Sequence, residues 1–116
     1  MTANAFRRAA LSLPYTEERQ HMWHPDFRVG GKIFATLGYP DGHWAMVKLT
    51  PEQQEEFVAA DRKMFVAVKG AWGRQGCTNV RLAAAKKTAL EQALRAAWEK
   101  AKAESAPRMR KSAGNR

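Results

Sequence analysis

The order of periodicities along the chain predicts an α+β fold: two layers, with helices packed on an antiparallel sheet. Three observations carry this. Helical spacing of apolar residues opens and closes the chain. Residues 16–49 switch to alternation, broken by tight-turn residues instead of crossover helices. A second helix and two further strands then precede the last helix, giving the order α, three or four strands, α, two strands, α.

Residues 2–13 read as an amphipathic helix in which Phe6, Ala9, Ala10 and Leu13 share a face and Arg7 and Arg8 point away; Thr2 or Asn4 caps its start, and Pro14 ends it. Glu18 to Trp23 is a first strand. Phe27 to Val29 and Lys32 to Leu37 flank Gly30-Gly31, a pair suited to a two-residue hairpin turn because that turn needs positive φ. Ile33, Ala35 and Leu37 alternate onto one face. Gly38 to Gly42 is a turn by composition, and Trp44 to Leu49 returns with Ala45, Val47 and Leu49 on one side.

Thr50-Pro51-Glu52-Gln53 is the sharpest local signal. Thr caps, Pro takes the first helical position, and Gln53 completes a capping box for a helix reaching about Ala60, with Phe57 and Val58 as its apolar contacts. Phe65 to Val68 is a short strand, Lys69 to Gly76 a flexible loop with three glycines, and Cys77 to Leu82 the last strand. The final helix starts at Lys86 or Thr88, where Thr88 and Glu91 form a second capping box, and runs to Ala103. Its stripe of Leu90, Leu94, Ala97, Trp98 and Ala101 is expected to lie on the sheet. Residues 1–104 therefore form one domain, and residues 105–116, small, polar and basic, an expected disordered tail.

The chain of 116 residues carries 20 Lys and Arg against 11 Asp and Glu, a net charge of +9. The excess is local. Residues 1–61 carry six basic and eight acidic side chains, whereas residues 62–90 carry seven basic ones (Arg62, Lys63, Lys69, Arg74, Arg81, Lys86, Lys87) and no acid. Four more basic residues, Arg108, Arg110, Lys111 and Arg116, lie in the tail. Such concentrations attract polyanions, nucleic acid above all; the competing reading is a solvated, solubilising surface. No stretch approaches the roughly 18 apolar residues of a membrane span. The N-terminus lacks a secretory signal, so the cytoplasm is the default compartment. One cysteine, Cys77, excludes an internal disulfide and a multi-cysteine metal site.

The run Glu18 to Leu37 (ERQHMWHPDFRVGGKIFATL), then Val47 to Thr50, then Gly73 to Val80 (GRQGCTNV), resembles the MmcQ/YjbR family over about residues 5–103. The resemblance implies a YjbR-like α+β fold and a predicted DNA-binding role, the fold being likened to a "double wing" phage transcription-factor domain. One departure is that Cys77 stands where relatives often show Trp after the glycine. The basic tail is not part of the family pattern.

The residues themselves offer a candidate nucleic-acid surface. Lys69, Trp72 and Arg74 lie in the glycine-bearing loop, where backbone can approach a phosphate and an aromatic can stack on a base. Arg81 follows on the last strand. Lys86 and Lys87 stand near the start of the last helix, whose free N–H groups also favour an anion. Lys32 and Lys48, on neighbouring strands, suggest a cross-strand basic pair lining a groove. The alternatives are a Trp72 packed into its own domain and cations on a solvated face.

Other chemistry is thin. His21 and His24 have metal-like spacing only on a helix; on one strand they point to opposite faces. His43 reads as a polar loop residue, Cys77 as a small buried apolar one, and Glu52, Glu55 and Glu56 as an exposed helix face. No P-loop, dinucleotide fingerprint or nucleophile elbow is present, and no metal or other cofactor is implied.

The leading expectation is a small non-enzymatic module binding DNA, with RNA as the alternative polyanion, and no membrane partner. The second is a protein-interaction or chaperone-like domain, since the YjbR-like fold is also similar to secretion chaperones and frataxin-like folds. A frataxin-type iron role expects an acidic first helix, which Arg7 and Arg8 contradict. The third, an enzyme, has no legible catalytic constellation. The oligomeric state stays open, with a monomer as the default.

Overall fold

Two helices and one sheet face build the core, and the chain reaches that arrangement through a meander. A computed structural model describes the backbone of residues 1–114 and the side chains of residues 1–105. Helix α1 (Ala3–Leu11) is capped by Thr2, whose hydroxyl accepts from the Ala5 N–H. Strands β1 (Glu17–His21), β2 (His24–Val29), β3 (Lys32–Leu37) and β4 (Trp44–Lys48) follow, each antiparallel to the last. Helix α2 (Pro51–Ala60) carries the expected capping box: Thr50 accepts from Gln53 N–H, and the Gln53 side chain accepts from Thr50 N–H.

From α2 the chain crosses to the sheet edge as β5 (Phe65–Ala67) and turns through a short helix α3 (Ala71–Arg74). It returns as β6 (Cys77–Arg81) between β4 and β5, so the strand order is β1-β2-β3-β4-β6-β5. The edges are short or charged. β5 has three residues, and all five of β1 (EERQH) are exposed, which discourages pairing with a foreign strand.

One face of the sheet is apolar. Phe27, Val29, Ala35, Leu37, Ala45, Val47, Leu49, Phe65 and Val80 join Phe6, Ala10 and Leu13 and the stripe Leu90, Leu94, Ala97, Trp98 and Ala101 in a single core. That stripe belongs to α4 (Lys87–Gly114), which lies across β2, β3 and β4. Trp98 also donates from Nε1 to the Pro14 carbonyl at 3.0 Å, tying α4 to the end of the α1 segment. Helix α2 packs at the β5 edge, Phe57 lying 5.2 Å from Phe65 between ring centroids. The alternate residues, among them Asp26, Arg28, Thr36, Met46, Lys48 and Asn79, are absent from this core and form the sheet's second face.

Four expectations need correction. The stretch Lys69 to Gly76 is not simply a flexible loop: residues 71–74 form α3, and the Gln54 amide on α2 holds it by donating to the carbonyls of Gly73 and Cys77 at 3.0 and 2.9 Å. Thr88 does not cap α4, because the helix already begins at Lys87 and Thr88 lies inside its first turn. The helix does not stop at Ala103. Ser105 is buried against the Gly30 turn, and α4 continues to Gly114. The side chains of 106–116, including the cations of the expected tail, lie outside the described residues, as does the backbone of 115–116.

The fourth correction concerns the first hairpin. A two-residue turn at Met22-Trp23 ends β1 at His21 and starts β2 at His24. His21 and His24 are therefore register partners on adjacent strands, not two positions of one strand.

Candidate nucleic-acid interface

The sheet's second face gathers cations and aromatic rings from three separate stretches of chain. Trp44 and Lys48 open and close β4, so alternation puts both, with Met46 between them, on the side away from α4. Arg81 is the register partner of Trp44 on β6, and its guanidinium carbon lies 4.5 Å above the indole. Arg81 Nε also donates to the Lys63 carbonyl at 3.1 Å, which fixes the stack. At the other end of β4, Lys48 Nζ lies 5.7 Å from the ring of Trp72, carried on α3. A cation over an indole face is attracted by the ring quadrupole, worth about 0.5–1 kcal/mol where solvent reaches it.

Trp72 is 62% exposed, so the core alternative does not hold for it. Lys69, Arg74 and Arg81 are exposed as well. α3 thus brings Trp72 to Lys48, with Arg74 at its end and Lys69 in the bend before it, whereas Arg81 on β6 stands at the Trp44 end of β4.

The remaining predicted cations go elsewhere. Lys86 forms an ion pair with Asp61 at 3.2 Å beside the cleft between α2 and α4. That contact holds the Asp61 carboxyl below its ordinary value against the upward push of burial, with backbone N–H donors from Met64 and Lys63 adding to the lowering. Lys87 opens α4 on the same helical layer. Lys32 does not pair with Lys48. A bulge in the β2–β3 register places Ile33 opposite Arg28 and Lys32 opposite the buried Val29, so Lys32 falls on the helix-covered side. One irregularity thereby separates two lysines that simple alternation put together.

One contributor, Trp44, escaped the sequence reading, whereas Arg28 was open between a groove-lining cation and the polar side of the sheet. Trp44 was legible only as the first residue of a strand, although its i, i+2, i+4 relation to Met46 and Lys48 defines the second face. Arg28 belongs to an ion cluster farther along that face. Its Nε and a terminal nitrogen donate to the two Asp26 oxygens at 2.8 and 3.1 Å, while His21 Nδ1 lies 2.7 Å from the same carboxylate. Asp26 is fully buried, and the Arg28 bonds hold its carboxyl below the usual value against the upward push of burial, with His21 adding to the lowering.

The described residues contain no group of three His, Cys, Asp or Glu side chains placed to hold a metal ion. His24 instead packs edge-on against Tyr39, and His43 bonds Asp41. Cys77 is buried at the start of β6, and burial raises its thiol pKa against weaker opposing effects of Lys48 and Lys100. No helix among the described residues is long and apolar enough to cross a membrane.

The YjbR family model matches residues 11–100, which includes every strand, α2, α3 and the first half of α4. The chain belongs to the YjbR family. No curated protein matches it. Among solved structures, this YjbR-family chain is similar to Deinococcus radiodurans protein DR2400, a DUF419 domain. The TM-score is 0.68 at 19% identity, covering 83% of this chain and 75% of that one. At that identity the likeness establishes the fold, a six-stranded antiparallel sheet with helices against it.

Proposed function

We propose that this YjbR-family protein is a non-enzymatic nucleic-acid-binding module of the cytoplasm, and that DNA is held on the second face of its sheet. The observation that carries this reading is the pairing of cation and ring at both ends of β4, Arg81 with Trp44 and Lys48 with Trp72. Each pair offers a phosphate partner beside an aromatic surface, the combination nucleic-acid grooves use. The acids on this face do not oppose it. Asp26 is already bound by Arg28 and His21, and Glu17 is paired with Arg19 at 3.6 Å.

Binding of this kind weakens as salt rises, because each neutralised phosphate releases a counterion. A titration of labelled DNA at 50 and 200 mM salt should show affinity falling by about tenfold or more for three or four phosphate contacts. Replacing Lys48 and Arg81 with Ala should weaken binding to all sequences alike. No binding at the lower salt would remove the proposal.

A protein-interaction role is the second reading, favoured by one separate feature: Met22, Trp23 and Tyr39 are 78%, 89% and 63% exposed at one end of the sheet. A pulldown that depends on Trp23, together with absent DNA binding, would decide for it.

A further inference from the structure

The nucleic-acid reading leaves open whether the ligand is a duplex or a single strand, and the second sheet face bears on that choice. We propose that the protein binds single-stranded nucleic acid, with one base on Trp72 and another on the Trp44–Arg81 stack. The inference rests on the proposed function and narrows its ligand.

A duplex is read by an element that projects into a groove, usually a helix or a two-stranded ribbon bearing side chains that reach base edges. The long helix α4 is committed to the core through Leu90, Leu94, Ala97, Trp98 and Ala101. The ribbon β1–β2 does project, but its tip, from Gln20 to Phe27, has no Lys or Arg. The cations sit instead on the sheet face itself, beside rings.

A single strand needs the reverse: an open surface, aromatic platforms for unstacked bases and cations between them for the backbone. Trp72 presents a ring that is 62% exposed. Trp44 is covered on one side by Arg81, and the exposed guanidinium plane is itself a stacking surface for a base. The two platforms stand at opposite ends of the Trp44–Lys48 strand, about 13 Å apart along it at the usual rise per residue. Lys48 marks the near end of that path beside Trp72, and Arg81 marks the far end.

The experiment compares a labelled 12-nucleotide single strand with the duplex of the same sequence, by anisotropy at matched salt, on the full chain and on three variants. Single-strand binding should be at least tenfold tighter than duplex binding and should quench tryptophan emission. Trp72→Ala should weaken the single strand by about fivefold to a hundredfold, the range for losing one stacked base, and leave the duplex nearly unchanged. Trp72→Phe should retain most of the affinity, and Arg81→Ala should weaken both ligands. Equal or tighter duplex binding would overturn the single-strand inference and leave the proposed function standing, as would a Trp72→Ala variant with undiminished single-strand affinity. Binding to neither ligand would overturn both.

Discussion

The two hairpin turns at the start of the sheet have the same backbone and opposite side chains. Gly30-Gly31 and Met22-Trp23 are both two-residue connections with positive φ throughout, +58 and +79 in one, +51 and +69 in the other. Glycine takes that conformation freely and Asn or Asp tolerate it, whereas most other L-residues there cost about 1–2 kcal/mol. Gly30 is also required by space, since an added Cβ would meet the side chain of Ser105 on α4. The first turn is thus built from residues that resist it, and its tip is almost wholly exposed. What holds it is the ladder below: Asp26 on β2 accepts from His21 across the turn and from Arg28, and Arg7 on α1 bonds Glu18 at 2.9 Å. One turn is specified by its own residues, the other by contacts outside it.

The largest effect should come from the turn that its own residues specify. Gly30→Ala should destabilise the protein by about 2–3 kcal/mol, combining backbone strain with crowding against Ser105. Chemical denaturation measures it. Adding Ser105→Gly should recover the crowding share and leave the strain, whereas no loss in the single variant would mean both that the turn tolerates an L-residue and that α4 yields at its Ser105 end.

The next effect tests the external clamp. Asp26→Asn should cost about 2 kcal/mol at neutral pH, the range for hydrogen bonds to a charged group. The folded Asp26 carboxyl lies below its ordinary value of 3.8, so its stabilisation is complete above that value and is lost as pH falls through the lower folded one. The gap between wild type and Asp26→Asn in urea midpoints should accordingly narrow in acid. A gap unchanged down to pH 2 would detach the cluster from the hairpin's stability.

The smallest effect has the opposite sign. Met22→Asn with Trp23→Gly supplies the preferred residues for this turn and should stabilise by about 1–2 kcal/mol, seen as a higher melting temperature. An unchanged or lower value would show that the exposed side chains pack on the hairpin more than their exposure implies.

Much of the fold could be read from local signals. The Thr50 capping box, the Gly30-Gly31 turn, the alternation of β3 and β4 and the apolar stripe of α4 each follow from residues close in sequence. The first hairpin was only half legible, because Met22-Trp23 carries no turn signal. Helix α3 hid behind three glycines, its order coming from Gln54 nearly twenty residues earlier. The site was less legible for the same reason. Residue types flagged Lys48, Trp72 and Arg81, but the separation of Lys32 depended on a bulge, and the neutralisation of Lys86 on an aspartate 25 positions away.

The Gln54 clamp has a consequence for binding. Its amide grips the Gly73 carbonyl within α3 and the Cys77 carbonyl just beyond it, and Gly73, lacking a Cβ, lets the helix sit directly on the Val68 carbonyl. Trp72 therefore stands on a preorganised mount. A ligand reaching it need not freeze a mobile loop first, so little of its binding energy is lost to ordering the protein, and association should proceed without a slow rearrangement step.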